Sequence, residues 1–458
     1  MKRTALFNSV ALFVIVSFVL VACGPAAAPT PQIVEKQVQV TVAVVQTKVV
    51  EKQVVQTVLA PTAAPKGLVV YNSYQSDPEP RKVDEAVVKM FKDKYPNIDV
   101  THSIVAHEDF KQALRAYLTA STPPDVMTWF AGNRARFFID KGTIMDISDV
   151  YKKEGWDKTF PKGFVALSSV NNKQYFVPTS YYWWAVYYNK TVFAKYNLQP
   201  PKTWDEFLTI CDTLKKNGVT PIAIGTKAPW TAAGWFDYLN MRINGPEFHI
   251  NLMLGKEKYD DARVKKVFET WKVLLDKGYF TPNAASYAWQ EVVPDLVQGK
   301  AAMYLMGQFV MDSIPKENQK DFDFFRFPTI DPKMPIGEDA PTDGFFAAAK
   351  APHPDQAKAL LAFLGSKDVQ TYVAKTLNRV PVSIEVDQSI FTPETKKGVE
   401  LLKGADYVAQ FYDRDTTPEM AEKGMAAFAQ FWTNTGKADS ILAQLEKDRA
   451  QIFSVEQQ

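Results

Sequence analysis

From Leu68 onward the apolar residues recur first at every second position and then at every third or fourth, and the switch repeats. LVVYNS reads as a strand; Val83, Val87, Met90 and Phe91 then share one face of a helix over 81–95, which Pro96-Asn97 ends. IDVTHSIV is the next strand, Phe110, Leu114, Tyr117 and Leu118 mark the next helix, and DVMTW follows the STPP turn as a third strand. Successive strand–helix–strand units predict an α/β fold on a mostly parallel sheet. Ligands of such sheets sit beyond the carboxyl ends of the strands, which places residues 73–75 and 129–134 on one rim.

A second unit begins at NLQPPKTWDEFLTICDTLKKNGVTPIAIG. Thr203 and Glu206 have the spacing of a capping box, Phe207, Ile210, Cys211 and Leu214 form an apolar stripe, and Asn217-Gly218 ends the helix before the strand PIAIG. Cys211 is therefore read as a core thiol. Beyond it come a helix carrying Val264, Val267, Phe268, Trp271, Leu274 and Leu275, another through Val292, Val293, Leu296 and Val297, and the strand AAMYLMG. FDFFRFP and DGFFAAA are extended, and from about Pro354 the tail is expected to be all helical.

The amino terminus is of another kind. Lys2 and Arg3 precede an apolar run too short to span a bilayer, with Leu20-Val21-Ala22-Cys23 after it. Residues 1–22 read as an export leader, and the tetrad resembles a bacterial lipobox with Cys23 as the lipidated residue, the membrane anchor. The chain has 2 cysteines, so acylation of Cys23 leaves none to pair with Cys211. Residues 23–66, with GPAAAPTP, APTAAPKG and the near repeat VEKQVQVTV/VEKQVVQTV, read as a low-complexity tether, disordered, β or helical. The formal charge of +2 equals the contribution of Lys2 and Arg3, so the exported part is neutral and offers no footprint for nucleic acid.

TSYYWWAVYYNK, residues 179–190, concentrates Tyr181, Tyr182, Trp183, Trp184, Tyr187 and Tyr188. No spanning segment flanks these rings, which removes a membrane belt as their explanation. A strand alternates its faces, so Tyr182 and Trp184 point one way and Tyr181 and Trp183 the other; about half the rings are core, and one pair is available to a ligand. A pyranose has CH-rich faces and a rim of hydroxyls, and so calls for flat rings together with planar or charged hydrogen-bonding groups.

Four strings, DVMTWFAGNRARFFIDKG, AVYYNKTVFAKYNLQPPKTWDEF, DYLNMRINGPEFH and WQEVVPDLVQGKAAMYLMGQF, in this order within a match that runs from Leu68 to Phe453, resemble the extracellular solute-binding proteins of ABC importers, family 1, the group that includes maltose-binding protein. The resemblance implies a two-lobed, type II periplasmic-binding-protein-like α/β fold, its lobes joined by several crossing strands, with a helical C-terminal tail. Lobe 1 would comprise 67–180 and about 326–380, lobe 2 181–325 and about 381–458. The implied function is capture of a mono- or oligosaccharide between the lobes by a monomer that binds no cofactor and no metal. The implied partners are the transmembrane subunits of an ABC permease and their ATPase, at the outer face of the cell membrane.

Carried over by position, Tyr74 and Gln75 occupy the polar loop after the first strand, Trp129 the tryptophan after the third, and Asn133 with Arg134 the polar pair beyond it. Tyr182 stands where maltose-binding protein has a hinge carboxylate, with Trp183 beside it. Trp230 resembles the aromatic of the second lobe's first long loop, and Phe309, next to Gln308, stands where a stacking tryptophan is usual. Composition adds Trp235, Trp289 and Gln290, the pair Asp343-Gly344, Arg379 in NRVP, and Asp413 and Asp415 in FYDRD.

Phosphate loops, GxSxG elbows, GxGxxG fingerprints and CxxC pairs are missing from the sequence, and its 4 histidines are scattered, with His102 and His107 expected to cap helices or face solvent. Asp413 and Asp415 lack the Gly and terminal Glu of a calcium loop. A secreted glycoside hydrolase is the alternative from another class, since Asp343 and Asp413 suit the paired carboxyls of that chemistry. A binding protein for a peptide or an anion is the other; the Trp-rich, Arg-poor candidate set fits both poorly.

Overall fold

The computed structural model describes residues 66–455; the expected leader, Cys23 and the tether up to residue 65 lie outside the described residues. β1 (Gly67–Ser73) pairs in parallel with β2 (Ile98–Ile104) along its length and with β3 (Val126–Phe130) at Tyr71 and Asn72. The connections are α1 (Pro78–Lys94) and α2 (His107–Thr119). Because strand side chains alternate, the sheet has two cores. Val69, Tyr71 and Val126 meet Val83, Val87 and Phe91 of α1 on one face; Met127 and Trp129 meet Phe110, Leu114 and Leu118 of α2 on the other.

The remaining strands are the hairpin β4 (Ser169–Val170) and β5 (Lys173–Gln174), then β6 (Val177–Tyr181), β7 (Trp184–Asn189), β8 (Thr220–Ile222), β9 (Ala301–Gly307), β10 (Phe322–Phe325), β11 (Gly337–Asp339), β12 (Thr342–Ala347), β13 (Val380–Pro381) and β14 (Tyr407–Ala409). The first lobe is a six-stranded sheet ordered β13-β6-β12-β3-β1-β2, the second a four-stranded sheet ordered β10-β7-β9-β8. The expected mostly parallel sheet is corrected to a mixed one, because β12 runs antiparallel to both β3 and β6, and β13 antiparallel to β6. These strands belong to segments passing to or from the other lobe, so no crossover helix imposes a parallel direction on them.

In the second lobe the Trp204–Lys216 helix has the expected capping box: Thr203 Oγ1 accepts from the Glu206 N–H, and Glu206 Oε2 accepts from the Thr203 N–H. Cys211 is buried in that lobe's core. The tail is not all helical. Helices Pro354–Leu364 and Lys367–Leu377 cover the first lobe, and Pro393–Lys403, Pro418–Thr433 and Ala438–Val455 the second, but β13 and β14 interrupt them. Strands of 2 and 3 residues are too short to show a period. No helix among the described residues is long and apolar enough to cross a membrane.

β6 ends at Tyr181 and β7 begins at Trp184, so YYWW carries the chain from one sheet to the other. Trp183 is fully buried at this step and packs on Phe324 and on Gly398, whose missing side chain makes room for the indole: a Cβ there would lie 2.2 Å from Trp183 Cδ2. Gly398→Ala would gain up to about 1 kcal/mol of helix propensity, but overpacking of a filled core costs about 1–3 kcal/mol or more. A net loss of stability is expected, read as a lower urea midpoint; a midpoint at or above wild type would refute the packing role.

Candidate ligand-binding cleft

A cavity of about 670 Å³ lies between the two sheets. Its aromatic wall comes from the second lobe. Trp184 starts β7, Phe309 follows β9, Trp230 starts the Trp230–Asn244 helix, and Trp289 lies in the short turn before residue 293. Their ring centroids are 5.3 Å apart for Trp289 and Phe309, 6.1 Å for Trp230 and Phe309, and 6.2 Å for Trp184 and Trp230, with steep interplanar angles throughout. Tyr182 meets Phe309 edge-on at 5.4 Å, and Phe411 stacks beneath Trp184 at 4.6 Å. Rings locked edge-to-face hold one another in place and leave flat surfaces for a guest.

The polar floor is built around Tyr412–Asp415, a single helical turn between the lobes. Asp413 accepts from Lys111 Nζ at 3.1 Å and from Arg134 Nη1 at 3.0 Å. Arg414 donates to Asp343 at 2.8 Å and to the Tyr182 hydroxyl at 3.0 Å, while the Tyr74 hydroxyl donates to the same Asp343 oxygen at 3.1 Å. Burial alone would raise the Asp413 carboxyl, but Lys111, Arg134 and Arg414 outweigh it and hold the group well below the usual carboxylate range. Arg379 pairs with Asp312 and Gln308 at the back of the cleft. At its mouth Gln290 Nε2 donates to Asp77 Oδ1 at 2.9 Å, a direct bond from one lobe to the other.

Of the residues expected at the site, Tyr74, Gln75, Tyr182, Trp230, Trp289, Phe309, Asp343, Arg379 and Asp413 line this cavity, as does Gln290. The others stand behind it. Trp129 is fully buried under Phe130, stacked at 4.4 Å, because alternation along β3 turns its indole into the core beneath α2. Trp183 packs on Gly398, as described, and Trp235 fills the second core between Phe280 and Phe327. Asn133 and Arg134, at the start of the Asn133–Asp140 helix, hold the backbone of Asp415 and the carboxylate of Asp413. Gln308 is buried, donating to the Leu377 carbonyl and accepting from Arg379. Gly344 lets β12 approach β6: a Cβ there would fall 2.0 Å from the Val177 carbonyl oxygen.

Phe130, Trp184, Phe411, Arg414, Lys111 and His107 line the cavity although none was among the expected site residues. Trp184 was accessible through its shared strand face with Tyr182, and His107 and Lys111 lie one helical turn apart on α2. Arg414 lay between two candidates in FYDRD; charge type alone masked it. Neither expected role of the histidines holds. His102 bonds Asp84 and stacks on Tyr71, and His107 packs against Tyr74 and Phe130. Asp415 does not cap the Pro418–Thr433 helix, which Thr417 does; its Oδ2 accepts from the Gln410 N–H. No cluster of metal-ligating side chains occurs among the described residues.

Two lobes around a cleft walled by rings and floored by paired charges define a solute-binding protein. Residues 75–371 match the family model of bacterial extracellular solute-binding proteins, and the chain belongs to that family. An uncharacterised ABC transporter extracellular-binding protein of Pyrococcus horikoshii is 28% identical over 360 residues, covering 76% of this chain and 80% of that one. A probable sugar-binding periplasmic protein of Mesorhizobium japonicum is 28% identical over 306 residues, covering 64% and 70%. Among solved structures, the bacterial solute receptor AcbH, described as having an exclusive preference for β-D-galactopyranose, superposes with a TM-score of 0.80 at 31% identity, covering 85% of this chain and 100% of that one.

Burial drives the Asp415 carboxyl up to about 7, with the Gln410 N–H and Arg414 only partly opposing it. An unfolded Asp titrates at about 3.9, so between roughly pH 4 and pH 7 the folded chain retains a proton that the unfolded chain has lost. The group's contribution to stability is therefore full below about pH 4, declines as the pH rises to about 7, and is constant above that. Asp415→Asn removes this slope: its melting temperature relative to wild type is expected to rise between pH 4.5 and 7.5, and a difference independent of pH would refute the assignment.

Proposed function

We propose that the protein captures a carbohydrate in this cleft and delivers it to an ABC permease driven by an ATPase. The observation that carries the reading is the convergence of Trp184, Trp230, Trp289 and Phe309 opposite a floor of ion-paired side chains. Rings offer area to the CH faces of a sugar, each contributing on the order of 1 kcal/mol, while the charged groups, already neutralised in pairs, present hydrogen-bonding atoms to a neutral polyol. The names of the Mesorhizobium relative and of AcbH point the same way.

The protein acts as a binding protein without catalysis. Asp343 is committed to Arg414 and Tyr74, and Asp413 to Lys111 and Arg134. Asp413, held ionised, is unsuited to the general-acid step of glycoside hydrolysis. The peptide stretches that pass between the sheets, 182–183, 326–341 and 382–392, serve as the hinge. Ligand bridging both lobes favours the closed arrangement, which docks on the permease. The leader and the LVAC tetrad support export and an anchor at Cys23 on the outer face of the membrane, with the body acting as a monomer and needing no metal or cofactor.

A thermal-shift screen over mono-, di- and trisaccharides tests the reading. A ligand at about 100 times its dissociation constant stabilises by about 2.7 kcal/mol; absence of a shift with every saccharide would sink carbohydrate capture. Trp230 is half-buried, so Trp230→Ala is expected to weaken binding of the best sugar roughly tenfold or more while lowering unfolding stability by less than about 1–2 kcal/mol. Equal losses in calorimetric titration and urea unfolding would show that the ring serves the core.

A further inference from the structure

We propose that His107, the first residue of α2, determines which sugar the cleft accepts, its neutral imidazole donating one hydrogen bond to a ligand hydroxyl and accepting one from another. The proposal rests on the carbohydrate reading above and goes further by naming a residue and its protonation state. His107 lines the cavity and is partly open to it. Its ring is held by packing: the Tyr74 ring lies 4.7 Å away at 59°, and the Phe130 ring lies 5.9 Å away at 28°. These two rings, whose own centroids are 5.5 Å apart, support the imidazole from one side without a hydrogen bond to its nitrogens.

The charged groups that neighbour it on the first lobe's side are already paired. Asp413 is held by Lys111 and Arg134, and Asp343 by Tyr74 and Arg414. Deeper in the cleft, Arg379 is held by Asp312 and Gln308. The His107 ring nitrogens, by contrast, have no hydrogen-bond partner among the described residues and are not sealed in the core. Its hydrogen-bonding edge therefore opens on the space a ligand fills. An edge that must be satisfied by the guest discriminates strongly, because a sugar lacking a hydroxyl at that point leaves it unpaired.

The protonation state follows from the surroundings. Burial, then Lys111 one turn along α2, Arg414 on the 412–415 turn and Arg134 on the Asn133–Asp140 helix all disfavour the imidazolium; Asp413 is the one opposing charge, and it is shared among those cations. They hold His107 well below the ordinary histidine value of 6.5. A neutral imidazole has one N–H donor and one bare nitrogen acceptor, whereas the cation only donates. A sugar hydroxyl both donates and accepts, so the neutral ring serves one hydroxyl at each nitrogen, on opposite sides of the imidazole, and the match does not change across the physiological range.

The test combines calorimetry with nitrogen NMR of the imidazoles in the full-length protein. The probe is the tightest binder in a panel headed by D-galactose that includes its epimers and deoxy analogues. Expected results are a neutral-form His107 signal from roughly pH 5.5 to pH 8, a shift of one or both His107 nitrogens on saturation with the sugar, and a wild-type Kd that changes less than about twofold over that range. His107→Ala should weaken binding about tenfold and compress the affinity ratio between the sugar and its deoxy analogue, while His107→Gln, which restores a donor and an acceptor, should recover to within about threefold of wild type.

Unmoved His107 nitrogens on saturation, or a Kd within about twofold of wild type for His107→Ala, would overturn the proposal while leaving carbohydrate capture standing. Tightening of the wild-type Kd as the pH falls would show that the cation binds, and would overturn it as well. Failure of every saccharide in the panel to bind would remove both readings together. The NMR measurement uses the wild-type chain, so a variant that misfolds does not remove the test.

Discussion

The cleft depends on the balance of buried charge around Tyr412–Asp415. Taking a carboxylate or a guanidinium out of water is expensive, and the cost is met only where partners surround it on several sides. Asp413 has Lys111 and Arg134, and Arg414 has Asp343, the Tyr182 hydroxyl and the face of Phe130 at 4.3 Å. The partners come from α2, from the helix after β3, from β12 and from the crossing at 182. One short turn thus ties together the segments that form the floor, and its backbone is held in turn by Asp237, which accepts from the Tyr412 N–H at 2.8 Å, and by Asn133. A chain that satisfied fewer of these groups would leave a buried charge unpaired and would favour a different arrangement of the turn.

Division of labour between the lobes follows from the same constraint. The first lobe supplies most of the polar and charged groups of the floor, held by an internal network; the second supplies the rings, held by edge-to-face packing. A neutral ligand with apolar faces and a polar rim gains contacts from both sides only when the lobes approach each other. The Asp77–Gln290 bond at the mouth and the Arg379–Asp312 pair at the back join the two sides independently of any ligand. A ligand that bridges both sides adds its contacts to these.

Much of the fold was legible because periodicity reports burial. The strands from LVVYNS to DVMTW, the capped helix at Trp204, the core position of Cys211 and the strand AAMYLMG all appear where pattern and capping chemistry place them. Direction was not legible: β12 and β13 read as extended but carry no mark that they run antiparallel to their neighbours. Among the rings, TSYYWW showed that two faces exist without showing which faces the cleft. Tyr182 and Trp184 do, and Trp183 does not, because Gly398 from a helix more than two hundred residues away opens a slot on the other side.

The order of strands and helices, the two successive α/β units, the concentration of aromatic side chains near the crossing and the small net charge are determined by local chemistry, through spacing, caps and composition, and so can be read along the chain. Which ring is wall and which is core, which charge is paired and which polar edge is left for a guest are decided only when distant segments meet. Trp129 and Phe130 are neighbours in sequence and similar in kind, yet one is sealed beneath α2 and the other lines the cavity. His107 reads as a helix cap until Tyr74, Phe130, Arg134 and Arg414 close around it. The physical reason is that burial and electrostatic compensation are properties of a neighbourhood in space, and those neighbourhoods are assembled from residues hundreds of positions apart.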